Sequence, residues 1–186
     1  MGARMLPLSG DVSVRRPAAL ALTLLWAALY ACSEADSQPV PAAPAAPETA
    51  WVEIGDQLFE LELALDAASR YRGLSGRRHI PPDGGMLFVF PSSRPLTFVM
   101  RDCQVPIDVA FLDESGRIVA VHEMEIEAPR RPDESASEYN RRLHGYSSGV
   151  PARFAIEVAG GRLAQVGAQV GQTPVFDADR WKEAAR

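Results

Sequence analysis

Gln57–Asp66 reads QLFELELALD, and its alternation decides the class of fold. Phe59, Leu61, Leu63 and Leu65 fall on one parity, and Glu60, Glu62, Ala64 and Asp66 on the other. A period of two over this length describes a strand with one face buried and one solvated. Asp66 is placed to cap a short helix running to about Leu74, with Gly76 as its stop.

Further along, short apolar runs recur between turn residues: Met86–Phe90, Leu96–Met100, Ile107–Leu112 and Arg117–His122. Asp113-Glu114-Ser115-Gly116 joins the last two as a hairpin connection. Residues 127–145 are charged and contain proline. Ser135 followed by Glu138 can open one or two helical turns there, with Glu138 and Arg142 spaced for an i,i+4 pair. Ala152–Val158 reads as another strand, Arg162–Val166 as a short helix and Val170–Phe176 as a last strand, before a polar tail at 177–186. Many short strands with few helical turns predict a mainly β domain over 51–176, a compact antiparallel β-sandwich or barrel with one or two short helices.

The N-terminal fifth has a different composition. Arg15-Arg16 precede an uncharged run from Ala18 to Ala31 that is apolar apart from Thr23, and Asp11 is the only acid before it. Basic residues ahead of about fourteen apolar ones describe a secretory signal over 1–31, too short for the roughly twenty residues of a spanning helix. An uncleaved anchor or a buried helix is the alternative. The run ends at Leu29-Tyr30-Ala31-Cys32, which resembles a bacterial lipobox, with Tyr30 bulkier than the usual occupant. The resemblance implies acylation of Cys32, hence a membrane partner reached through lipid and a cell-envelope location facing the periplasm or exterior. Cleavage nearby to release a soluble secreted protein is the rival. Residues 33–50, SEADSQPVPAAPAAPETA, lack large apolar side chains apart from Val40 and read with Cys32 as an extended tether over 32–50.

Removal of residues 1–31 leaves 16 basic and 23 acidic residues, a net charge of −7. So diffuse a negative charge argues against nucleic acid or anionic lipid headgroups as the main partner. With Cys32 acylated, Cys103 is left without an intrachain disulfide partner. His79, His122 and His144 form no HxH or HxxxH pair, and neither a metal site nor a cofactor is expected. No P-loop or GxGxxG stretch occurs.

Three blocks carry a wider resemblance: Arg72–Arg77 (RGLSGR), Gly85–Phe90 (GMLFVF) and Phe98–Asp108 (FVMRDCQVPID). In order and spacing they resemble the bacterial and archaeal domain of unknown function 192, whose pattern is roughly RGLMxR, GMLFxF and FWMKNTxIPLD. Phe111, Asp113, Tyr146-Ser147, Pro151 and Glu157–Gly161 match its later part. The family has no established activity; the resemblance implies a compact, mainly β, often exported domain. Ser75, Val99 and Arg101-Asp102-Cys103 depart from the family's Met, Trp and Lys-Asn-Thr, and residues 127–145 are longer than usual.

Within the domain, Asp108 interrupts an apolar strand, sharing a face with Ala110 and Leu112 while Ile107, Val109 and Phe111 share the other. A carboxylate so placed needs partners, and Arg72, Arg77 and Arg101 are the natural counterions. Two readings follow: a structural ion pair, or a polar groove for a small polar or anionic ligand. Cys103 reads first as filler and second as a nucleophile. The leading function is a lipid-anchored, non-catalytic binding or accessory module of the envelope. The alternatives are a small hydrolase or transferase using Asp108 or Cys103, and a structural domain whose interactions lie in the 127–145 loop. A clickable palmitate analogue should label the wild type and leave Cys32→Ala unlabelled; equal labelling of both would remove the lipid anchor.

Overall fold

A computed structural model describes residues 48–186. The expected signal segment, Cys32 and nearly all of the expected tether lie outside the described residues. Six strands form one sheet: β1 (Thr49–Ile54), β2 (Gln57–Ala64), β3 (Gly84–Phe98), β4 (Ile107–Leu112), β5 (Ile118–Met124) and β6 (Tyr146–Ala159). Their order is β1-β2-β3-β6-β4-β5, and the sheet is open. Four short helices accompany it: α1 (Ala67–Arg72), α2 (Ala136–Arg142), α3 (Arg162–Gln165) and α4 (Ala178–Ala184).

The mainly β class is as the alternation predicts, and all pairings but one are antiparallel. The exception is β2 beside β3, paired parallel from Glu60↔Gly84 to Ala64↔Phe88. A parallel return needs a connection of about a dozen residues or more. Residues 65–83, with α1 inside them, supply it. The apolar run at 86–90 and the first three residues of the run at 96–100 belong to a single long strand, β3, whose register against β6 shifts between Val89 and Arg94 and again between Pro95 and Thr97.

Strand alternation builds a core on each face of the sheet. One contains Phe59, Leu61, Leu87, Val89, Ala110, Leu112, Phe154, Ile156 and Val158. The other contains Met86, Phe88, Phe90, Ile107, Val109, Phe111 and Ala155, with Leu74, Ile80 and Met100 from the connections. The centre strands are therefore buried on both sides, so each polar side chain on them must be satisfied or costs free energy.

The local signals largely produce the helices they predict. Asp66 caps α1 through the Ala68 and Ser69 N–H groups, and Ser135 and Glu138 form a reciprocal capping box on α2. That box occupies Glu138, so Arg142 turns instead to Glu134, with Nε 2.8 Å from Oε1. The hairpin at 113–116 is held by Asp113, whose Oδ1 accepts from Ser115 N and Arg117 N. The C-terminal segment differs from a polar tail. Asp177 caps α4, and Trp181, 5% exposed, packs into the first core. The last expected strand is reduced to one bridge, Val175 with Glu53.

Asp108 is 1% exposed and lies on the face sequence parity assigns it. Its partners are not the predicted arginines. Gly161 N–H donates to Oδ1 and Leu163 N–H to Oδ2, each at 2.9 Å. The carboxylate thus caps the start of α3 from across the sheet, where backbone donors are otherwise unpaired. Asp108→Asn loses at least one charged acceptor and should cost about 1.5–3 kcal/mol. Urea denaturation measures it; a midpoint unchanged within error would show that this cap does not hold α3 to β4.

Candidate functional site

A pocket of about 550 Å³ opens between α1 with its following turn, the far half of β3 and the segment 99–103. Phe88, Phe90 and Phe98 form apolar walls, Arg70, Arg72, Arg94 and Arg101 contribute guanidinium groups, and Glu157 of β6 also lines it. The size is that of a small-molecule site.

Each wall follows from the fold. Alternation in β3 sends Phe88 and Phe90 to the pocket side, while Leu87 and Val89 enter the opposite core. Phe98 meets Phe88 and Phe111 edge-on, with ring centroids 4.9 and 5.1 Å apart. Arg70 staples α1 to the sheet and the C-terminal segment, donating to the carbonyls of Leu65 (2.6 Å), Val89 (2.9 Å) and Arg186 (2.7 Å). Its guanidinium and that of Arg94 lie 5.3 and 5.6 Å from the centre of the Phe90 ring. Arg101 stacks 3.8 Å from the Tyr71 ring centre and donates to the Tyr71 carbonyl.

Residues 101–103 are held from several sides. Ser75 Oγ donates to the Arg101 carbonyl at 2.8 Å. Asp102 has φ +55°, and its N–H donates to the Tyr139 hydroxyl at 3.0 Å. Tyr139 belongs to α2, so the 127–145 segment is tied to the turn between the pocket-lining residues Arg101 and Cys103. Gly73 ends α1 at φ +50°; a Cβ there would lie 3.6 Å from Glu157 Oε2 and 3.4 Å from Phe88. A side chain at this position would be both strained and directed against the pocket floor.

Glu157 is 6% exposed, and its buried Oε2 has no hydrogen-bond partner. Burial pushes its carboxyl up to about 8, against the opposing pull of the Leu74 N–H and the Arg77 guanidinium. Cys103 also lines the pocket, and its thiol is pushed up to about 12 by burial, with Glu157 and Asp102 adding to the effect. It is a protonated thiol, not an activated nucleophile.

The four residues selected from sequence separate in space. Arg72 and Arg101 line the pocket. Arg77 is committed elsewhere, its two terminal nitrogens each 2.6 Å from an oxygen of Glu62 on β2. Asp108 sits on the other face of the sheet, beneath α3. Arg70, Arg94 and Glu157 escaped the sequence reading. Glu157 shows the same signal that drew attention to Asp108, an acid within an apolar strand, between Ile156 and Val158.

Residues 50–175 match the family described as DUF192, Uncharacterized ACR. The chain belongs to the DUF192 family. No curated protein matches it. Among solved structures it is similar to a "putative transcription regulator" from Sinorhizobium meliloti 1021, at 26% identity and a TM-score of 0.57 over 72% of this chain and 95% of that one. It is also similar in fold to a protein of unknown function from Novosphingobium aromaticivorans, at 21% identity and a TM-score of 0.56 over 72% and 94% of the two chains. This DUF192 domain therefore shares its architecture over nearly the whole length of both.

The Glu157 carboxyl makes a testable contribution to stability. Its folded-state value of about 8 lies above the ordinary 4.5, so between those pH values the folded protein binds the extra proton. Stability from this group is full below pH 4.5 and is lost as pH rises through 8. The span is on the order of 5 kcal/mol. Glu157→Gln should flatten the pH dependence of unfolding free energy in that window, measured by urea titration; an unchanged slope would show that Glu157 ionises normally.

Proposed function

We propose that this DUF192 protein is a non-catalytic binding module of the cell envelope, carried outside by its signal segment, anchored by lipid on Cys32 and binding a small polar or anionic ligand. The observation that carries the binding part is an arginine-rimmed, aromatic-walled pocket on an otherwise acidic chain. Arg72, Arg94 and Arg101 make no ion pair among the described residues. Guanidinium groups gathered without counter-charge favour an anion, and their planar donors suit carboxylate or phosphate. The phenylalanine walls favour an apolar body behind that charged group.

The envelope address is supported by the sequence before residue 33: a charged start, a short apolar run and the Leu29–Cys32 box. The intervening Pro/Ala-rich segment is suited to hold the domain away from the bilayer.

Catalysis by Asp108 or Cys103 has less support. Both Asp108 oxygens are taken by backbone N–H groups, and Cys103 holds its proton. Neither has the nucleophile–base contact such chemistry needs. Interaction through 127–145 is compatible with binding, since Tyr139 supports the rim.

The test is NMR titration of the full chain with phenylacetate and phenyl phosphate. Chemical-shift changes should cluster on α1, the far half of β3 and residues 99–103. Arg72→Glu and Arg94→Glu should each weaken binding roughly five- to tenfold, as expected for loss of about 1 kcal/mol or slightly more, without lowering Tm. Shifts scattered outside the pocket, or affinities untouched by either reversal, would overturn the binding reading.

A further inference from the structure

The sheet and its connections bury three acids among the described residues: Asp108, Glu134 and Glu157. Two have their partners. Asp108 caps α3, and Glu134 accepts from Arg142 Nε at 2.8 Å and from Arg131 N at 3.1 Å. Glu157 stands apart, with Oε2 unpartnered while the residue lines a cavity large enough for a ligand. An unmade hydrogen bond at a buried polar atom is costly, and a ligand that completes it recovers that cost on binding.

We propose that Glu157 is a recognition donor of this pocket, giving a hydrogen bond from its carboxyl group to a neutral acceptor oxygen on a small organic acid whose anionic end rests on the rim arginines. The proposal rests on the binding reading above and narrows it. The ligand carries two features separated by an apolar span: an anionic group, and a carbonyl or similar acceptor that reaches Glu157. A simple apolar acid satisfies the rim and leaves Glu157 unpaired.

Proton dependence follows from the donor role. Only the protonated carboxyl can donate; the carboxylate would present a second acceptor to the ligand's oxygen and a like charge to its anionic end. The charged groups facing Glu157 come from several elements. Arg77, beyond α1, is paired with Glu62 of β2. Arg101, Asp102 and Cys103 lie in the segment before β4, Arg70 and Arg72 on α1, and Arg94 on β3. The arginines keep their charge through neutral pH, Cys103 releases its proton only near 12, and no histidine lines the pocket. Glu157 is therefore the pocket group positioned to gate binding in the neutral to mildly alkaline range.

Three matched probes test this on the full chain: 3-benzoylpropionate, with both features; 4-phenylbutanoate, without the carbonyl; and methyl 3-benzoylpropionate, without the charge. The wild type should prefer the first to both others, and its Kd should rise at least tenfold between pH 6.5 and 9.5. Glu157→Gln supplies an N–H donor at every pH, so it should bind 3-benzoylpropionate with no such dependence. Glu157→Met lacks a donor and should bind the two charged probes equally. Carboxyl ¹³C NMR of the wild type supplies a readout independent of the variants' folding, and Glu157 should remain protonated at pH 6.5. An ionised Glu157 at pH 6.5, an unaltered pH profile in Glu157→Gln, or no preference for the carbonyl probe would overturn the proposal. If Arg72→Glu and Arg94→Glu still weaken the charged probes, the binding reading survives that failure. If no probe perturbs the pocket at any pH, both fall.

Discussion

Burial on both faces of Gly84–Phe90 in β3 and Phe154–Val158 in β6 is the constraint from which the rest of the domain follows. Their ladder runs through the middle of the sheet, and residues of alternate parity feed two separate cores. A strand in that position has no solvated side on which to leave a polar group. Two acids nevertheless occupy the inner ladders, Asp108 on β4 and Glu157 on β6. They lie on opposite faces and meet opposite fates. Beneath the first, the chain turns into α3 and offers two amide hydrogens. Above the second, it turns at Gly73 and opens a cavity.

The same constraint organises the cavity. Connections on the Glu157 side must supply apolar cover, and they do so with Leu74, Ile80 and Met100. Where α1 and the irregular half of β3 diverge, cover is incomplete and the phenylalanines face open space. Arginine side chains fill part of that margin because their planar heads can lie on aromatic rings, as Arg101 does on Tyr71. The positive rim therefore has a packing role as well as an electrostatic one.

Local structure was legible in the residues to the extent that it is local. Phe59–Leu65 and Ile107–Leu112 announce their strands by parity, and Asp66 and Ser135 announce their helices because a cap contacts amides two or three positions away. The direction of β3 relative to β2 leaves no comparable mark, since a parallel and an antiparallel strand can share one apolar run. Trp181 sits in a charged segment, and its burial depends on a surface assembled from distant strands. Site residues follow the same rule. Parity marks Asp108 as a buried acid but says nothing of Gly161 and Leu163, 53 and 55 residues away, that satisfy it. Counterions were expected because arginines are visible in a sequence and backbone donors are not. Glu157 showed an equal signal, and only the arrangement of α1 and Arg77 across the face distinguishes an unsatisfied acid from a satisfied one.

The hydrogen bond from Asp102 N–H to the Tyr139 hydroxyl joins two parts of the domain that are otherwise built independently. The 127–145 excursion carries its own capping box and its own Arg142–Glu134 clasp, so its shape owes little to the sheet. Its Tyr139 phenol meets the left-handed turn of Asp102, which lies between two pocket-lining residues. That hydrogen bond ties the excursion to the turn whose neighbours Arg101 and Cys103 line the cavity. A change in the length of the excursion would be felt first at the backbone of Asp102, between the cavity-lining residues Arg101 and Cys103.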